Sequence, residues 1–128
     1  MAWIIYEFLD NRGEGVIKTW LEHERIQKPA RALLEQKLRL LATVGRDLPP
    51  GLLAHLGGAI YKLKVRAQGV QLRPMVCEGP INNDAEFTLL IGAVERGGRL
   101  EPRDGQERAE ENRQTIIANP SRRRAYEL

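Results

Sequence analysis

The sequence predicts an α+β fold: a small, mostly antiparallel sheet packed on an N-terminal helical hairpin, with a further helix near the C-terminus. Three observations predict it. One short aromatic and β-branched run opens the chain, two stretches of helical periodicity follow with almost no linker, and three strand-like runs then succeed one another across short breaks.

Trp3 to Leu9 (WIIYEFL) reads as the first strand, because aromatic and β-branched residues suit a pleated surface and the turn formers Asp10, Asn11, Arg12 and Gly13 end it. From Val16 the period changes. Val16, Ile17, Trp20 and Leu21 recur at helical spacing, which predicts a helix to about Gln27. Pro29 suits a first helical turn, and Ala30, Leu33, Leu34, Leu38 and Leu41 make one apolar stripe to about Thr43. Residues 44 to 59 carry Pro-Pro-Gly and Gly-Gly and read as a loop with an apolar insert. Strands are expected at 60–66, 70–78 and 86–95, the first two joined as a hairpin by Ala67, Gln68 and Gly69. Pro74 removes a ladder hydrogen bond and predicts an edge or a bulge. Asp104 and Glu107 have capping-box spacing, which predicts a helix to about Ala118 before Asn119 and Pro120 stop it. Residues 119–128 read as a basic tail.

A chain of 128 residues with 42% apolar and 29% charged residues has the composition of one compact domain, 1–128. The formal charge of +3 is too small to identify a nucleic-acid binder, so the distribution of charge matters more than its sum. The lone cysteine, Cys77, excludes an internal disulfide and a multi-cysteine zinc site, suits a reducing compartment, and reads as a buried strand residue. No basic segment precedes the first apolar run and no stretch is long and apolar enough to span a bilayer, so the expectation is a soluble, cytoplasmic protein without membrane contact. His23, between two glutamates, and His55, in the leucine-rich loop, offer no pair at metal-ligand spacing. No metal and no cofactor are expected.

The run Ile60 to Arg66 (IYKLKVR) alternates. Tyr61, Leu63 and Val65 belong to one face, and Lys62, Lys64 and Arg66 to the other. In the next run Val70 and Leu72 point inward while Gln71 and Arg73 point outward, which puts four cations on one sheet face. A solvated face would account for polar residues there, but such faces mix both signs, and no acid lies between Lys62 and Arg73. Like charges across strands repel, so the patch points to an anionic ligand, and a polyphosphate backbone fits. Metal-independent RNA cleavage needs a base for the 2′-hydroxyl, cations for the pentavalent phosphate and an acid for the leaving oxygen. Lysine and arginine supply the second directly.

The stretch LGGAIYKLKVRAQGVQLRP, with FTLLIGAVERGGRLEP and AEENRQ, resembles the RelE/ParE superfamily of bacterial toxins in its HigB-like, phage-derived branch. The order of strands and helices over nearly the whole chain is similar to that family's fold. The resemblance implies the toxin of a type II toxin–antitoxin pair: a ribosome-dependent mRNA endonuclease, cleaving without metal by 2′-hydroxyl attack and restrained by a cognate antitoxin of helix-turn-helix type. By position, Lys64 and Arg73 match the family's strand arginines, Lys62 stands where glutamate is common, and Tyr126 resembles the late tyrosine or histidine near the scissile phosphate. These imply Lys64, Arg73 and Tyr126 as catalytic residues. Lys62, Arg66, Gln71, Arg96 and the tail residues Arg122, Arg123 and Arg124 are the RNA-binding candidates. Where relatives often carry a phenylalanine-lysine-lysine run, this chain has Gly92 to Glu95 and then Arg96 alone. Two alternatives stay open: a ParE-like inhibitor of DNA gyrase, and a catalytically inactive relative that only binds.

Overall fold

The computed structural model describes residues 2–67 and 69–128, so Gln68 of the expected Ala67–Gly69 turn lies outside the described residues. The chain is α+β, with three α-helices and two sheets among the described residues. Strands β1 (Ile4–Phe8), β2 (Leu53–Gly57), β3 (Ile60–Leu63), β6 (Met75–Glu78), β7 (Glu86–Ile91) and β10 (Arg123–Ala125) form a six-stranded sheet in the order β10-β1-β7-β6-β3-β2. Strands β4 (Val65–Ala67), β5 (Val70–Leu72), β8 (Val94–Arg96) and β9 (Arg99–Glu101) form a four-stranded sheet in that order. The β1–β7 pair is parallel; the other ladders are antiparallel.

The three expected strands are thus each two short ones, interrupted at Lys64, at Arg73–Pro74 and at Gly92–Ala93. Pro74 has no N–H to give the ladder, so the run breaks beside it. Hydrogen bonds bridge the break: Leu63 N–H donates to the Pro74 carbonyl (2.9 Å) and Arg73 N–H to the Ala93 carbonyl (2.8 Å). Gly92 is required here because a Cβ would lie 2.0 Å from the Trp20 ring.

Helix α1 (Val16–His23) ends sooner than expected. Arg25 takes the left-handed conformation (φ 54°), and Ile26 N–H reaches back to the Leu21 carbonyl and Arg25 N–H to the Glu22 carbonyl, a Schellman stop. Helix α2 (Lys28–Val44) carries Pro29 in its first turn. Helix α3 (Gly105–Ala118) begins after Asp104, but the expected capping box does not form: Asp104 is not extended, makes no capping bond, and lies 3.9 Å from Arg108 instead. Two further differences concern the loops. Residues 53–57 are a strand, not part of a long loop, and the basic tail contains β10, antiparallel to β1.

The sheets are covered on both faces. Ile17 and Leu21 of α1 and Ala30, Leu34, Leu38 and Leu41 of α2 bury one face with Leu63, Val65, Leu72, Phe87 and Leu89. Ala109 and Ile116 of α3 bury the other with Ile60, Met75, Cys77, Leu90 and Ile91. Cys77 is fully buried, and that burial pushes its thiol up to about 12, so it is chemically quiet. Among the described residues no helix is long and apolar enough to cross a membrane.

Candidate functional site

Lys62 faces Met75 across β3–β6, and Met75 faces Ile91 across β6–β7, so Lys62 lies on the sheet face that α3 packs against. Beyond the bend that face continues as a row, Arg66 opposite Gln71, Gln71 opposite Glu95 and Glu95 opposite Leu100. Lys64 sits between Leu63 and Val65, both buried in the α1–α2 core, so alternation sends its side chain out on this face too.

The structure brings these side chains together but changes the expected charge pattern. Glu95, from the third strand run, lies among the cations: its Oε1 is 3.6 Å from Lys62 Nζ and 3.6 Å from Arg73 Nε. Arg73 does not lie open on the face. It is 4% exposed, its Nη1 donates to the Leu72 carbonyl (2.9 Å), its Nη2 to Gln71 Oε1 (3.1 Å), and its Nε has no hydrogen-bond partner among the described residues. The bend at Pro74 turns it inward, under the row rather than in it. The result is a partly open carboxylate held between two cations; Arg66, two strands away across Gln71, and Lys64 make no ion pair among the described residues.

The other candidates lie elsewhere. Arg96 is on the opposite face, paired with Glu24 at the C-terminal end of α1 (3.0 Å) and with Glu101. Arg122 donates to the Leu9 carbonyl (3.1 Å) and to Asn11 Oδ1 (3.1 Å), and its guanidinium lies 5.1 Å from the Phe8 ring centroid. Arg123 pairs with the buried Glu86 and covers the Tyr6 ring at 3.8 Å. Arg124 lies 3.5 Å from Glu7. The basic tail is therefore an edge strand whose cations are bound by the protein itself. Tyr126 follows β10, four strand spacings from β3, about 19 Å at 4.8 Å each, and it does not meet Lys64 or Arg73. His55 Nε2 donates to the Gly58 carbonyl (2.7 Å).

Tyr126 borders a different feature, a cavity of about 460 Å³ at the β1–β10 edge. Its floor is Glu7, 3% exposed, whose Oε2 accepts from the Ile17 N–H (3.2 Å) and so caps α1. Gly15, at the cap position, has no side chain, and a Cβ there would lie 2.2 Å from Glu7 Oε1. Burial raises the Glu7 carboxyl above its ordinary range, opposed by the helix N–H bond and by Arg124. Tyr126 is pushed up to about 12, by burial first and then by the charges of Glu7 and Glu35.

Sequence reasoning missed both Glu95 and Glu7. A signal existed for Glu7: it stands two residues after Ile5, on the buried face of an apolar strand. For Glu95 there was none, because its meeting with Lys62 depends on the pairing of β5 with β8.

Among the described residues no group of three or more histidine, cysteine or acidic side chains is placed to hold a metal ion. Comparison with family models, curated proteins and solved structures finds no match for this chain.

Proposed function

We propose that the chain is a toxin-type endoribonuclease that cuts mRNA on the ribosome without a metal, as its resemblance to the HigB-like toxins implies, and that Glu95 is its base. One observation carries the reading: a partly exposed carboxylate lies 3.6 Å from each of two cationic groups, on a sheet face that also carries Arg66 and Gln71 and, by alternation, Lys64. Glu95 takes the proton of a ribose 2′-hydroxyl, and the freed oxygen attacks the adjacent phosphorus. Lys62 and the underlying Arg73 stabilise the pentavalent phosphate, and Lys64 gives a proton to the departing 5′-oxygen. The products are a 2′,3′-cyclic phosphate and a 5′-hydroxyl. Arg66 and Gln71 hold the neighbouring backbone.

Supporting the family reading is the order of elements, a strand, two helices packed on one sheet face, three strand runs and a helix on the other face, to which this chain adds β2 before the strand runs and β10 after the last helix. On this reading a small helix-turn-helix antitoxin restrains the protein in the cytoplasm. A binding-only relative or gyrase inhibitor is favoured by a separate observation, the distance of Tyr126 from the cations.

Primer extension on programmed ribosomes separates these. Codon-phased cuts by the wild type, lost in Lys64→Ala, are expected. Intact mRNA together with inhibited gyrase supercoiling would establish the alternative.

A further inference from the structure

The cavity at the β1–β10 edge has no part in RNA cleavage as proposed, and its chemistry differs from that of the cationic row. Its walls come from β1, α1, α2 and the segment from Arg124 to Glu127. Three of its side chains are basic, Lys18, Arg31 and Arg124, and three are acidic, Glu7, Glu35 and Glu127.

Folding accounts for part of this set. Glu7 caps α1 and neighbours Arg124, and Arg31 ties α2 to the end of α1 through the Ile26 carbonyl (2.7 Å) and the Leu21 carbonyl (3.3 Å). The Lys18 ammonium, the Glu127 carboxylate and the Tyr126 hydroxyl are left over. None of the three has a hydrogen bond or ion pair among the described residues, yet all border the same space. Among the described residues Glu35 makes only an exposed pair with Arg39 at 3.6 Å, which holds it weakly.

We propose that this cavity binds a zwitterion of amino-acid size. Its carboxylate lies against Lys18, Arg31 and Arg124, and its ammonium against Glu35 and Glu127, with the Tyr126 hydroxyl beside them. The balance of signs decides the class. A simple anion would leave the acidic side chains facing it, and a simple cation would meet the basic ones; a molecule carrying both charges satisfies both. Leu21 and Ala125 give the wall an apolar part that suits an aliphatic side chain. A volume of about 460 Å³ falls in the ordinary range for small-molecule sites.

Calorimetric titration of the full chain tests this with three named probes: L-leucine, 4-methylpentanoate, which lacks the ammonium, and isopentylamine, which lacks the carboxylate. Saturable binding of leucine is expected, weakened about tenfold or more in each single-charge analogue, as the loss of a charge-assisted hydrogen bond implies. Lys18→Ala, at an exposed position that leaves the fold intact, is expected to weaken leucine by a similar factor. Absence of leucine binding overturns the proposal. So does equal binding of an analogue, tighter binding of inorganic phosphate, or a Lys18→Ala variant that binds as the wild type does. None of these readouts depends on mRNA cleavage, so this proposal and the nuclease reading stand or fall separately.

Discussion

Glu7 in β1 and Arg73 at the β5–β6 bend are both almost fully buried, 3% and 4% exposed, and the protein compensates their charges by different means. Glu7 is held by a helix N-terminus and a neighbouring cation, so its partners are fixed by α1 and by the last strand. Arg73 is held by the carbonyl of the residue before it, by Gln71, and at 3.6 Å by Glu95, which it shares with Lys62. The first arrangement closes on itself and fixes an edge of the sheet. The second leaves a carboxylate and a lysine partly exposed with an arginine beneath them, and the nuclease proposal rests on it.

Removing either charge exposes the difference. Arg73→Ala removes a buried guanidinium with the hydrogen bonds it donates to the Leu72 carbonyl and to Gln71 Oε1, and is expected to cost about 3 kcal/mol in urea unfolding. Gly15→Ala tests the other end. Its Cβ would collide with the Glu7 carboxylate, and a loss of about 1–3 kcal/mol is expected, with α1 fraying first in hydrogen exchange. A variant as stable as the wild type would show that Glu7 is free to move away.

The pH dependence of Glu7 has a definite sign. Burial raises its folded pKa above the ordinary value of 4.5, so as pH rises past that value the unfolded chain ionises first. The stabilising contribution is full below that point and is lost as pH rises through the folded pKa. Glu7→Gln keeps an acceptor for the Ile17 N–H and carries no charge, so between pH 4.5 and neutrality it is expected to gain stability relative to the wild type. A constant difference across that window would contradict the assignment. The smallest effect is at Lys64, which makes no ion pair among the described residues. Lys64→Ala is expected to change stability by no more than about 0.5 kcal/mol while lowering the salt slope of RNA binding by about one.

Much of the fold was legible because it depends on local pattern. The first strand, both N-terminal helices and the three strand runs follow from periodicity within each segment. The capping box failed because spacing alone does not set the backbone at Asp104. Strand β2 was hidden in a segment whose Pro-Pro-Gly and Gly-Gly suggested only turns. The arginine-rich tail read as a free basic arm because its partners, Glu7, Glu86 and the Tyr6 ring, lie more than a hundred residues away or on the parallel β7 strand. The site divides in the same way. Alternation found Lys62, Lys64, Arg66 and Gln71, but only strand pairing brings Glu95 to Lys62, and only the bend at Pro74 turns Arg73 inward.

The most direct measurement is the single-turnover cleavage rate of ribosome-bound mRNA by the wild type and Glu95→Gln, with EDTA present at magnesium just sufficient to keep ribosomes intact. The wild type is expected to cut and the variant to be slower by about 10²–10⁴-fold, the usual contribution of a general base, at a temperature where unfolding curves show both proteins folded, since Glu95→Gln also takes a partner from the buried Arg73. Equal rates would show that Glu95 only neutralises Lys62 and Arg73, and that this face does not carry the chemistry proposed for it.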